Sequence, residues 1–101
     1  MLVINNRKIG NNRPVYIIAE LSINYNGKLA IALELVEKAA ECGVDAVKLQ
    51  IVYADGSYDK QSPSYDIFRR NELPIEQWGK VCERGSDLGL DLWLHSEIIW
   101  M

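Results

Sequence analysis

No apolar run in these 101 residues approaches the ~20 needed to span a bilayer. The opening "MLVINNRKIG" has no long apolar core followed by a small-residue cleavage site, so no secretory signal is expected. Cysteine is scarce: Cys42 and Cys82 are the two, without CxxC or Cys/His spacing. Both fall in helical patterns and are expected to be small core residues rather than metal ligands or a disulfide. That suits a reducing cytoplasm. Positive charge is in the minority. Eleven Lys and Arg against fourteen Asp and Glu give a net charge of −3 and a pI of about 5.1. A broad basic footprint for nucleic acid or anionic lipid is therefore not expected, and the doublet Arg69-Arg70 reads as a solvated loop. Histidine occurs once, at His95. A metal site needs three or four ligands with support behind them, so no metal ligand is assigned.

What remains is 49% hydrophobic and 25% charged, the balance of one ordinary globular domain. "MLVI", "NNR" and "KIG" predict a hairpin over 1–10, its Asn-rich turn tolerating positive φ. "VYIIAE", 15–20, reads as a strand. Residues 28–42 carry Leu29, Ala32, Leu33, Val36 and Ala40 at helical spacing, with Glu34, Glu37, Lys38 and Glu41 on another face. Asn26 is the expected N-cap and Gly43 the left-handed residue after the helix. A second strand covers 45–50. Residues 51–73 then form a long excursion rich in Tyr, Ser, Asp, Gly and Pro, a length usually reserved for function or disorder. Pro74 is expected at the first position of a helix running to Leu88, with Trp78, Val81, Cys82 and Leu88 inward and Gly79 and Gly85 weakening it. Gly89 ends it, and "LDLWL" is a third strand.

"GVDAVKL" at 43–49 and "GLDLWLH" at 89–95 share Gly, aliphatic, Asp, apolar, apolar. The motif recurs once per helix-to-strand junction. Strand–helix–strand–helix–strand with tight junctions predicts parallel strands joined by right-handed crossovers. Alternation puts Lys48 and Gln50 on one strand face and Val47 and Leu49 on the other; Ile18 and Glu20 likewise share a face. Helices cover the apolar face of such sheets, and ligands sit at the carboxyl ends of the strands. Glu20, Lys48 and Gln50 stand where a buried site would need them. A structural ion pair between Glu20 and Lys48 is the alternative.

The stretch from Pro14 to Gln50 resembles the sialic acid synthase family, which includes the N-acetylneuraminate, legionaminate and pseudaminate synthases and spore-coat polysaccharide proteins. The family's opening reads roughly I-A-E-I-G-x-N-H-N-G, then a helix, then A-G-A-D-A-V-K-F-Q. Here the matching residues are Ile18-Ala19-Glu20, Asn24-Tyr25-Asn26-Gly27, and Cys42 through Gln50. The likeness runs on through "YAD", "SPSYDIF" and "ELPIEQW" to about Leu92. Ser22 replaces the family's second glycine, Tyr25 its histidine, and "WLHSEIIWM" departs from it.

The resemblance implies an α/β fold, the N-terminal portion of a (β/α)8 TIM barrel: a single partial domain over 1–101, with a hairpin at 1–10, a βαβαβ segment at 15–94 and a divergent tail at 95–101. It implies a transferase that condenses phosphoenolpyruvate with an N-acetylated amino sugar such as N-acetylmannosamine, releasing phosphate. Glu20 and Lys48 are the implied catalytic residues. Lys48, Gln50, Asn24, Asn26 and Tyr65 are the implied substrate contacts; capping is the alternative for Asn26, and self-packing of the excursion for Tyr65. Family members use a divalent metal, Mn2+ or Mg2+, whose ligands are not expected in this chain. Activity of the chain alone is not expected, and its open sheet edges favour association, a homodimer included. Some other barrel aldolase acting on phosphorylated sugars is a second enzymatic alternative. The rival reading is a non-catalytic α/β interaction module or pseudo-enzyme fragment completing a sheet with another chain, favoured by the unmatched tail and its Trp100.

Overall fold

The computed structural model describes residues 2–96. The tail assigned to 95–101, with Trp100, therefore lies mostly outside the described residues. The chain begins with an antiparallel hairpin, β1 (Leu2–Ile4) and β2 (Arg7–Ile9), with Leu2 opposite Ile9 and Ile4 opposite Arg7. Asn5 and Asn6 both take positive φ, 47° and 70°, as a two-residue turn between twisted strands requires. Asn bears that conformation at lower cost than most residues.

Three parallel strands follow, β3 (Ile18–Ser22), β4 (Ala46–Ile51) and β5 (Asp91–Ser96), in the order β3-β4-β5. Helices α1 (Leu29–Glu41) and α4 (Ile75–Asp87) lie in the two connections and pack on each other, α4 also on β5. This is the alternation read from the sequence. Val36, Val47 and Val81 are fully buried, and Leu49, Leu73, Trp78, Leu21 and Leu90 join them in one core. Each such side chain contributes roughly 1.5–3 kcal/mol when removed from water.

Glycines set the junctions. Gly43 (φ 81°) and Gly89 (φ 78°) follow α1 and α4 in the left-handed conformation. Gly85, expected only to weaken its helix, is buried: a Cβ there would stand 2.7 Å from Leu92 Cδ2. Its lack of a side chain lets α4 approach β5.

Four expectations are corrected. The N-cap of α1 is Lys28, and no side chain caps that end. Asn26 lies two residues earlier, at φ 53°, inside a turn in which its N–H bonds Ile23 O. Pro74 occupies the N-cap of α4 rather than its first turn, and its carbonyl accepts from the Gln77 and Trp78 N–H groups. Cys42 is exposed, because it caps α1 about 120° around the axis from Val36; Cys82 packs half-buried against the core, and burial pushes its thiol up. The excursion is not an irregular loop. It holds α2 (Ala54–Ser57) and α3 (Pro63–Arg70). The α3 N-terminus has a Ser62 cap accepting from the Ser64 N–H at 3.2 Å, followed by Pro63. No residue of α3 is fully buried, and its eight residues are too few and too polar to stand out as the longer helices do. The excursion closes on itself. Tyr53 donates to Leu73 O at 3.0 Å, Ala54 N–H to Glu72 Oε1 at 2.8 Å, and Tyr58 stacks on Phe68 at 4.9 Å.

The repeated Gly-aliphatic-Asp motif proves to be a clamp at the amino ends of β4 and β5. Arg7 Nη1 donates to Asp45 Oδ1 at 2.7 Å, and the Ile17 N–H to Asp45 Oδ2 at 2.8 Å. One repeat later, Asn5 Nδ2 and the Tyr16 hydroxyl donate to the two Asp91 oxygens at 2.6 and 2.7 Å. These donors hold the Asp91 carboxyl below the usual range. Each Asp thus fastens the hairpin, or the segment leading into β3, to the sheet.

Two predictions follow from the packing. Gly27 has φ 70°, and a Cβ on it would stand 2.8 Å from Arg70 O, a backbone atom. Gly27→Ala is expected to lower stability by about 1–3 kcal/mol in urea unfolding; an unchanged midpoint would disconnect the turn from α3. Tyr25 is 3% exposed, its ring meeting Trp78 edge-on at 5.3 Å. Burial, then the nearby Tyr53 and Glu72, push its hydroxyl from 10.0 up to about 12. The folded state keeps that proton where the unfolded chain has lost it, so this contribution is complete below pH 10 and lost as pH rises through about 12. Urea midpoints measured across this window should fall less steeply in Tyr25→Phe than in the parent chain. Equal slopes would contradict the burial.

Candidate functional site

The site develops on the sheet face turned away from the helices. Val47 and Leu49 are buried against the helical layer, while Lys48 and Gln50 are half-buried on the opposite face of β4. Ile18 and Glu20 are exposed on the matching face of β3. The parallel register sets Glu20 beside Lys48, and Lys48 beside Trp93; Gln50 stands beside His95. Adjacent strands lie ~4.8 Å apart, so these side chains are neighbours.

Lys48 and Glu20 form no ion pair with each other among the described residues. The structural pairing considered from the sequence is therefore not what holds them. Both lie within their strands, with Gln50 closer to the carboxyl end.

A β-bulge between Glu20 and Ser22 shapes this end of β3. The additional residue, Leu21, turns into the core. Ser22 takes φ 47°, and its hydroxyl donates to Gln50 Oε1 across 3.4 Å, a long and weak contact. Bulges of this kind re-aim side chains. The positive φ gives a physical reason why glycine suits the position, and Ser22 bears the strain that glycine avoids. Reasoning from sequence did not place Ser22 in the site; its signal was the departure from glycine.

Asn24 and Asn26 are exposed in the turn after β3, where neither side chain makes a hydrogen bond among the described residues. Tyr25 does not face them: it belongs to the core and fills space rather than exchanging protons near neutrality. Tyr65 lies on α3 and donates to Asp55, so its hydroxyl is engaged inside the excursion, and the structure does not gather it with Lys48 by any contact. That bond is also the first cause of its raised pKa. Among the described residues no group of three or more His, Cys, Asp or Glu could hold a metal ion.

The face thus offers an ammonium, a carboxylate and an amide on adjacent strands, with the ammonium unpaired by its neighbour. Such a set can hold an anion by charge while the amide donates to, or accepts from, a polar partner.

No family model matches the chain. Individual proteins do. The spore coat polysaccharide biosynthesis protein SpsE of Bacillus subtilis is 48% identical over 72 residues, 71% of this chain and 19% of that protein. The N,N'-diacetyllegionaminic acid synthase of Legionella pneumophila is 35% identical over 107 aligned positions, 86% of this chain and 30% of that enzyme. The crystal structure of the N-acetylneuraminic acid synthetase of Leptospira borgpetersenii superposes with a TM-score of 0.84 at 25% identity, over 94% of this chain and 33% of that one. The chain spans less than a third of the length of these curated relatives. Over the share that it spans, its homologues are the spore coat protein SpsE and the legionaminic, pseudaminic and N-acetylneuraminate synthases.

Proposed function

We propose that this chain is the N-terminal portion of a (β/α)8 barrel whose activity condenses phosphoenolpyruvate with an N-acetylated amino sugar, releasing phosphate. The observation that carries the reading is Lys48, without an ion pair among the described residues, beside Glu20 on the sheet face opposite the helices. In the reaction, C3 of the enolpyruvate attacks the open-chain aldehyde carbon, water adds at C2, and phosphate leaves with C–O cleavage. Lys48 supplies a fixed cation for the phosphate or carboxylate, in a half-buried position where charge acts more strongly than in water. Gln50 contributes amide donors, its oxygen being turned toward Ser22. Glu20 orients water or a sugar hydroxyl. Asn24 and Asn26 line the sugar end. Tyr65 is not carried into the site, because its hydroxyl is held by Asp55.

The family's divalent metal would polarise the aldehyde. The described residues offer no ligand cluster that fits one, so its ligands are assigned to the portion of the fold that this chain does not span, and no step here depends on it. Both cysteines are free, which supports a cytoplasmic setting. Among the described residues no helix is long and apolar enough to cross a membrane.

A second reading is a non-catalytic module that completes its sheet with another chain. Ile18 and Trp93, each 41% exposed on the uncovered sheet face, favour it.

Two measurements test the proposal. Incubated with phosphoenolpyruvate, N-acetylmannosamine and manganese, the purified 101-residue chain is expected to release little phosphate; robust turnover by its monomer would overturn the partial-barrel reading. In a chimera carrying this segment in place of the corresponding part of a family enzyme, Lys48→Met should lower kcat/KM for phosphoenolpyruvate by about a hundredfold with the circular dichroism unchanged. Unaltered kinetics would remove Lys48 from the site.

A further inference from the structure

A cavity of about 410 Å3 opens at the amino ends of the strands, between the hairpin and the segment entering β3. It lies at the opposite end of the sheet from Gln50. The volume is that of a small-molecule site. Arg7, Lys8 and Arg13 line it, against a single carboxylate, Asp45. That carboxylate is already met by Arg7 and by the Ile17 N–H. Arg7 and Asp45 offset each other, which leaves Lys8 and Arg13 as excess positive charge. Neither has a side-chain hydrogen bond or ion pair among the described residues. The remaining wall combines apolar Ile9, Pro14 and Val15 with Asn6 and Tyr16.

Exposed lysines and arginines are usually just solvated. Here they line one concave cavity, beside the apolar Ile9, Pro14 and Val15, whose backbone is held in place. The Arg13 N–H bonds Gly10 O at 3.2 Å, closing a turn that contains Asn12 at φ 64°. Arg7 is anchored by Asp45 and by Gly89 O at 3.3 Å, yet a guanidinium has five N–H donors and retains some for a ligand. The chain as a whole is acidic, so this concentration of cations runs against its average.

We propose that this cavity binds a small organic anion, a phosphorylated or carboxylated molecule with an apolar body. The head group meets Lys8, Arg13 and the free edge of Arg7; the body lies on Ile9, Pro14 and Val15. Because Arg7 and Asp45 also fasten the hairpin to the starts of β3 and β4, an occupant stabilises the hairpin on the sheet.

The test uses the full chain and phenyl phosphate, with inorganic phosphate and phenol as separate arms, at constant ionic strength. Amide resonances of residues 7–9 and 13–16 should shift saturably with phenyl phosphate, and hairpin amides should exchange more slowly with solvent. Inorganic phosphate should bind more weakly, and phenol should not saturate. Lys8 and Arg13 are exposed, so the Lys8→Ala/Arg13→Ala variant should unfold at the parent's midpoint but bind phenyl phosphate at least about tenfold more weakly. Lys48→Met should leave this binding unchanged. Lack of saturation, shifts confined to Lys48 and Gln50, equal affinity in the double variant, or equal binding of phenol would each overturn the proposal.

Discussion

The structure depends on the burial of one face of a three-stranded parallel sheet beneath α1 and α4. Once Val47, Leu49 and Leu92 are committed to the helices, alternation commits Lys48, Gln50 and Trp93 to the opposite face. A slip of one residue in β4 would bury an ammonium and expose two large apolar side chains, a cost of several kcal/mol. The position of the candidate site is therefore a consequence of packing: the same apolar contacts that hold the sheet also present Lys48 beside Glu20.

The two ends of this sheet are built differently. At the amino ends, carboxylates are fully engaged: Asp45 and Asp91 each accept from two donors that belong to the hairpin or to the segment leading into β3. Such bonds give stability and a defined register. Toward the carboxyl ends the polar groups are left available. Glu20 and Lys48 are neighbours without pairing, and the hydrogen bond to the Gln50 side chain is the long one from Ser22. The amino-end carboxylates thus serve the scaffold, while the polar side chains of the candidate face stay available.

Two departures from the family pattern differ in physical kind. Tyr25, where the resemblance implies a histidine, is absorbed by the core against Trp78, and its raised pKa removes it from proton transfer near neutrality. Ser22, where the resemblance implies a glycine, has a backbone conformation that favours glycine and adds a hydroxyl directed at Gln50. The first substitution exchanges a titratable ring for packing. The second alters the presentation of a residue on the candidate face.

Much of this was legible in the residues alone. Hairpin, strands and principal helices follow from patterns that a chain imposes locally: Asn5-Asn6 accept positive φ, the apolar spacing of 29–40 specifies one helical face, and Gly43 and Gly89 end their helices. The shared face of Lys48 and Gln50 follows from alternation. Other features were set by contacts between residues distant in sequence. The α3 helix is only eight residues long with no fully buried residue, so it did not stand out from the excursion; Ser62 and Pro63 were its local signal. That Asp45 and Asp91 seize the hairpin, that Gly85 admits Leu92, and that a bulge turns Ser22 toward Gln50 were decided only by the tertiary structure. Local sequence determines which conformations are cheap and which faces are apolar. Which groups meet across 28 to 86 residues of chain depends on how the elements dock, and that is a property of the packed whole.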